Sequence, residues 1–190
     1  MTYRETRDKL EGFRRQIAEL REQMREAQSA IEPEEVKDYE FTTPEGTLHL
    51  SGLFGSKEYL FLIHNMGVSC PSCTLWADGF NGIYDHLADR GAFVVSSPDS
   101  PEVQRTFAKD RGWRFRMVSH QGTSFARDMG YGSENGKYLP GVSVFRRKPG
   151  RILRVSDTRF KPGDDFCALW HLFELLPEGS ASWKPQFKYR

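Results

Sequence analysis

The stretch EYLFLIHNMGVSCPSCTLWADGFNG, residues 58–82, passes from an unbroken apolar run into a C-x-x-C pair, and it holds two of the chain's three cysteines. Tyr59–Ile63 has the length and composition of a strand buried on both faces. Pro71 suits the first position of a helix, where its missing N–H would have had no partner anyway. Cys70 then becomes the N-cap, and Cys73 lies one turn in, at the third helical position. Free backbone N–H groups and the positive end of the helix dipole favour an anion at Cys70. That placement lowers a thiol from ~8.5 towards ~7 or below, leaving thiolate at neutral pH. Cys73, shielded by the turn, is placed to attack a mixed disulfide on Cys70 and free the reduced partner, as dithiol–disulfide exchange requires. Two other readings fit the same residues: a metal site using Cys70, Cys73 and a histidine (His64, His86 or His120), or two inert core thiols. Haem attachment in its usual C-x-x-C-H form is excluded, because Thr74 follows the pair.

Around this stretch the totals are those of a soluble globular chain. Of 190 residues, 38% are hydrophobic and 28% charged, with a net charge of +1, which gives no reason to expect a polyanionic partner. No P-loop, G-x-G-x-x-G, zinc-ribbon or nucleic-acid-binding motif occurs. The N-terminus, MTYRETRDKLEGFRRQ, is charged from its fourth residue and has no apolar h-region. The apolar run YLFLI is far short of the ~20 residues that cross a bilayer. The expectation is a cytoplasmic protein without membrane or nucleic-acid contact. In that compartment a close cysteine pair more often binds metal or does reversible redox work than forms a structural disulfide.

Three regions are expected. In residues 1–35, Leu10, Phe13, Ile17, Leu20, Met24, Ala27 and Ile31 recur at steps of three and four, a heptad seam closed by Pro33. Parallel pairing with its own copy would set Lys9 against Arg14 and Gln16 against Arg21, so a simple self-zipper is disfavoured. The seam reads as an amphipathic helix packed on its own domain or on a neighbouring subunit, with a partner-specific coiled coil as the alternative. Residues 38–177 alternate strands and helices. A hairpin turns about Pro44-Glu45-Gly46, and the apolar strand leads into a helix from Pro71 to Asp89. AFVVSS is a second buried strand, and Ser100 with Pro101 opens a second helix. FRMVS, a short helix about Thr123–Met129, two strands joined at Lys148-Pro149-Gly150, and an amphipathic helix in GDDFCALWHLFELLP complete the series. This order requires an α/β fold with a mixed central sheet flanked by helices. Residues 178–190 form an aromatic, basic tail without a period.

With the elements in this order, the chain from about Asp38 to Pro177 resembles the thioredoxin superfamily, in the branch that includes peroxiredoxins and bacterial disulfide reductases. The leading hairpin, the cysteines after the strand, VVSSPDSPEVQRTFAKDRGWRFRMVS and YLPGVSVF follow in that branch's order. SCPSCTLWADGFNG more specifically resembles the bacterial domain-of-unknown-function family 899, with its C-P-S-C-x-x-W-A-D-G-F core, N-terminal helix and aromatic, basic tail. The resemblance implies a thioredoxin-like fold with an N-terminal helical extension and a leading β-hairpin. It also implies a thiol–disulfide oxidoreductase in which Cys70 attacks and Cys73 resolves, with no metal or organic cofactor. Pro140 would match a cis-proline that faces the dithiol and presents the Leu139 backbone to a polypeptide or small-thiol substrate. The chain departs from peroxiredoxins before the first cysteine. Where that group carries a proline seven residues upstream and a Thr or Ser three residues upstream, this sequence has Ile63 and Gly67, so peroxidase activity is not expected.

Other residues carry two readings each. Trp76 could wall the site or pack in the core. Asp78 could relay a proton at Cys73, or mark a kink in Asp78-Gly79-Phe80. His64 could act as a base or metal ligand, or be a hydrogen-bonded strand-end histidine. His120 and Arg127 border the site by position only, and Cys167 reads as a buried apolar thiol. The cations Arg146, Arg147, Lys148, Arg151 and Arg154 form a solvated turn by default, or a surface for an anionic thiol such as glutathione. Against the oxidoreductase stands a thioredoxin-fold binding or assembly module working through the N-terminal helix and the tail. A homodimer through those two segments is the expected assembly.

Overall fold

Thr2 starts the first helix by a reciprocal pair of bonds: its N–H donates to the Glu5 carboxylate at 2.7 Å, and its hydroxyl accepts the Glu5 N–H at 3.3 Å. This box satisfies orphan donors at the entrance of α1 (Tyr3–Ser29), which carries the predicted seam along one side. The computed structural model describes residues 2–189. It divides into two units, one up to residue 33, which holds α1, and one from residue 34 onward.

The second unit is organised by one mixed sheet. Its strands are β1 (Glu34–Val36), β2 (Glu40–Thr43), β3 (Gly46–His49), β4 (Tyr59–His64), β5 (Ala92–Ser97), β6 (Arg116–Ser119), β7 (Gly141–Lys148) and β8 (Arg151–Arg159). Across the sheet they run β1-β8-β7-β4-β5-β6-β2-β3. β4, β5 and β6 are parallel, and the remaining pairings are antiparallel. The crossover from β4 to β5 carries α2 (Pro71–Gly82) and α3 (Tyr84–Arg90), and that from β5 to β6 carries α4 (Pro101–Arg111). The short α5 (Phe125–Asp128) precedes β7, and α6 (Ala168–Phe173) follows β8.

The apolar run of β4 exists because this strand is walled on both sides. Leu60 and Leu62 enter a core with Phe41, Phe54, Val94, Val118, Phe125 and Tyr131. Ile63 turns to the other face, where Trp76, Ala77, Phe93, Val95, Phe160 and Trp170 meet. α2 therefore covers the second face and α5 the first.

Three elements differ from the sequence reading. The helix expected over Pro71–Asp89 is broken at Ile83, whose φ of −113° and ψ of 15° leave the helical region. Tertiary bonds hold the break: Asn81 accepts the Arg114 N–H at 2.8 Å on its side chain, and an Arg114 guanidinium bond at 3.2 Å on its carbonyl. β1 was not anticipated; it is a three-residue edge that pairs Val36 with Ile152. The last helix is shorter than its pattern, beginning after Cys167. The tail packs through Trp183, whose ring lies 5.7 Å from Trp170 and 5.0 Å from Phe173.

Two glycines test this packing in opposite directions. A Cβ on Gly141 would sit 2.3 Å from the Tyr131 ring and 2.5 Å from the Thr158 carbonyl, whereas Gly79, inside α2, has open space around it. Gly141→Ala should lose about 3 kcal/mol in urea unfolding, the upper range for overpacking. Gly79→Ala should gain roughly 0.5–1 kcal/mol from helix propensity and a stiffer unfolded chain.

Candidate functional site

Beyond His64 the chain leaves the sheet in a short loop held by bonds at Asn65, Gly67, Val68 and Cys70. The Asn65 N–H donates to the Ser96 carbonyl at 2.9 Å, and the Asn65 side chain accepts the Gly67 N–H at 2.8 Å. Gly67 has φ +109°, and a Cβ there would lie 3.1 Å from both oxygens of Asp99. Asp99 accepts the Val68 N–H at 3.0 Å and the Ser97 hydroxyl at 2.8 Å, so a carboxylate from beyond β5 pins the loop. The Cys70 N–H then bonds the Gly67 carbonyl at 3.1 Å and delivers Cys70 to the start of α2.

At that point the local expectation holds. Cys70 is the N-cap, Pro71 follows at the first helical position, and Cys70 Sγ accepts the Cys73 N–H at 3.1 Å. Thr74 donates its hydroxyl to the Cys70 carbonyl at 3.0 Å, tightening the first turn. Cys70 is half-buried and Cys73 buried, and the two thiols are close without being bonded to each other. A hydrogen bond from the Cys73 thiol is the largest influence on Cys70. With the backbone N–H groups of Cys73 and Ser72 it outweighs partial burial and lowers Cys70 to about 7. Cys73 is raised, first because its proton is held on Cys70 and then because it is buried. The arrangement gives one accessible thiolate and one protected thiol, the asymmetry that exchange chemistry uses.

The other candidates resolve into different places. Trp76 is 2% exposed, donates its indole N–H to Asp164 at 3.2 Å and lies 5.4 Å from Phe160, so it is a core residue of the dithiol helix. Asp78 accepts the Trp113 indole at 2.8 Å and pairs with Arg111, which binds α2 to α4. His64 faces the side of the sheet away from α2. Its ring stacks 3.8 Å from Tyr131, and Nε2 bonds the Ser143 hydroxyl at 2.9 Å. His120 Nδ1 bonds the Ser96 hydroxyl at 2.8 Å. Arg127 is exposed on α5 beside Asp128, and Cys167 is buried. Among the described residues no three His, Cys, Asp or Glu side chains group to hold a metal.

The cis peptide expected at Pro140 is corrected: no cis bond occurs among the described residues. The Leu139 N–H is already taken by the Tyr131 carbonyl at 2.9 Å, and the Pro140 carbonyl by the Phe160 N–H at 2.9 Å. The Leu139 N–H is thus engaged within the fold, while the Leu139 side chain stays exposed. What the sequence reading missed was the polar ending of the parallel strands, Ser96 and Ser97 on β5 and Ser119 on β6, together with Asp99; His120, which it placed by position only, joins them at the end of β6. The one signal of that ending was apolar strands that finish in polar residues at their carboxyl ends, where open α/β sheets place ligands.

Comparison with known proteins places the chain in a family and identifies its fold. The model of the family described as "Bacterial protein of unknown function (DUF899)" matches residues 2–189, and the chain belongs to that family. The peroxidoxin BcpB from Mycobacterium tuberculosis is similar in structure, with 25% identity and a TM-score of 0.53 over 64% of this chain and 80% of that one. A cysteine-to-serine variant of PrxQ from Xylella fastidiosa is 16% identical, with a TM-score of 0.59 over 69% of this chain and 87% of that one. The fold is thus thioredoxin-like, shared with peroxiredoxins. No curated protein matches the chain.

Two titrations check the electrostatics. Thiolate absorbance should rise with a midpoint near 7, and Cys73→Ala should move that midpoint up towards the ~8.5 of a free thiol, because the donated S–H is lost. The two buried histidines behave in the opposite sense. Burial pushes His64 well below its ordinary value and His120 down to about 4. Each is neutral when folded but protonates near ~6.5 when unfolded, so the unfolded state binds more protons below that pH. Stability should be full above pH ~6.5 and fall as the pH drops towards 4, by up to ~1.4 kcal/mol per pH unit for each ring. In NMR spectra neither ring should titrate between pH ~8 and ~5.

Proposed function

We propose that this member of the DUF899 family is a thiol–disulfide oxidoreductase in which Cys70 is the nucleophile and Cys73 the resolving cysteine. The observation that carries the reading is Cys70 Sγ at the N-cap of α2, accepting the Cys73 N–H at 3.1 Å and lowered to about 7. The likeness of the fold to peroxidoxin BcpB supports a thiol-based activity in general.

The Cys70 thiolate attacks one sulfur of a substrate disulfide, forming a mixed disulfide and expelling the other sulfur as a thiolate that takes a proton from solvent. Release of Cys70's negative charge removes the main reason for Cys73 to hold its proton. Cys73 then deprotonates and attacks Cys70 Sγ, expelling the second substrate thiolate and leaving a Cys70–Cys73 disulfide. Two electrons pass to the substrate, and an external dithiol of lower potential restores the pair. Peroxides are disfavoured as the substrate. Ile63 belongs to the core and Gly67 takes φ +109° against Asp99, so the loop is spent on holding Cys70.

The test is equilibration of the protein in glutathione redox buffers with thiols counted by mass, repeated with Cys73→Ser. The expected result is a reversible Cys70–Cys73 disulfide in the wild type and a trapped glutathione adduct on Cys70 in the variant. If neither species forms across cytosolic potentials, from about −220 to −320 mV, the reading fails.

A further inference from the structure

β6 is an interior strand that the sheet closes on only one side. It pairs with β5 at four positions, from Val94↔Arg116 to Ser97↔Ser119, but with β2 at Thr42↔Ser119 alone. The sequence explains the failure. Continuing that antiparallel register by two residues would set Pro44 opposite Met117, and proline has no N–H to give to the ladder. From there the β2–β3 hairpin diverges. A cleft of about 810 Å³ opens between its tip, α4 and the free side of β6, within the size range of ligand-binding clefts.

The cleft has a chemical character. Its floor includes Trp113, Phe115 and Met117, and its charged lining is four cations, Arg105, Lys109, Arg114 and Arg116, against the one carboxylate of Glu45. Arg114 is committed to Asp85 at 2.9 Å. Lys109 and Arg116 are exposed and make no ion pair among the described residues. Cys70 and Cys73 do not line the cleft.

We propose that this cleft binds an extended acidic polypeptide segment, which adds a strand to the free side of β6 and sets its carboxylates against Lys109 and Arg116. An open strand edge asks for backbone N–H and C=O groups with side chains alternating to two sides, which a peptide has and a nucleic acid or a simple anion lacks. The cations fix the sign of that peptide. A second copy of the same cleft is a poor occupant, since it would bring cation against cation. The site stands independently of the dithiol chemistry.

The experiment titrates the full-length protein with a blocked peptide of alternating valine and glutamate, about six residues long, enough to cover the free part of β6. A peptide of alternating valine and lysine and free glutamate serve as comparators. Affinity is read by calorimetry and the site by amide exchange. The valine–glutamate peptide should bind below ~1 mM, protect the Met117 N–H, and weaken about tenfold or more between ~50 and ~500 mM salt. The double variant Lys109→Glu/Arg116→Glu changes only exposed side chains and should weaken binding by a similar factor. Equal binding of the lysine peptide or of free glutamate overturns the proposal. So does the absence of binding at ~1 mM, or binding that leaves Met117 unprotected.

Discussion

Everything at the candidate site depends on β4 being held from both sides. β5 pairs with it in parallel from Leu60↔Ala92 to His64↔Ser96, and β7 in antiparallel from Tyr59↔Arg146 to His64↔Gly141. A strand clamped in this way cannot slip, because a one-residue shift would turn Leu60 and Leu62 out of one core and Ile63 out of the other. The point at which the chain leaves the sheet is therefore fixed, and with it the place where α2 begins. The cysteines inherit their position from a backbone ladder more than from contacts of their own.

The second determinant is a division of faces. α2 lies with Trp76, Ala77 and Phe80 on the aromatic core formed by Phe93, Trp113, Phe160 and Trp170. The opposite face ends in a polar layer in which His64 and His120 each keep one bonded and one unbonded nitrogen. Such groups are costly in an interior unless neutral, which is why burial drives both rings below their ordinary range. The loop between these faces is held by Asn65, which accepts the Gly67 N–H, and by Asp99, which accepts the Val68 N–H and the Ser97 hydroxyl. The chain has thus placed its polar side chains at the carboxyl end of the parallel strands and its apolar ones along their length.

Local chemistry was legible in the sequence, and long-range chemistry was not. Cys70 as N-cap, Pro71 after it, and Ser100 with Pro101 at the next helix follow from residues within four positions of one another. The buried strand Tyr59–Ile63 announced itself by composition, and alternation of elements gave the mixed sheet. Glu34–Val36 has no apolar pattern and is a strand only because β8 offers an edge. The break at Ile83 needs Arg114, some thirty residues away, to occupy Asn81. Asp99 reaches Val68 across a similar separation, and nothing near either residue signals the contact. The proline before β7 shows the limit of resemblance: its flanking backbone bonds Tyr131 and Phe160, and neither belongs to the motif that suggested a cis bond.

The shared proton between the two thiols has an electrochemical consequence. With Cys70 lowered to about 7 and Cys73 raised, the reduced pair holds two protons below neutrality and one above it. Oxidation of such a pair releases two protons with its two electrons in mildly acid solution, and one in mildly alkaline solution. Under the proposed exchange chemistry, the midpoint potential of the pair would fall by ~59 mV per pH unit on the acid side and by ~30 mV on the alkaline side. The slope changes within the pH range of a living cell. Over that range a couple of this kind would be buffered against alkaline drift relative to an ordinary dithiol whose two protons both stay on until pH ~8.5.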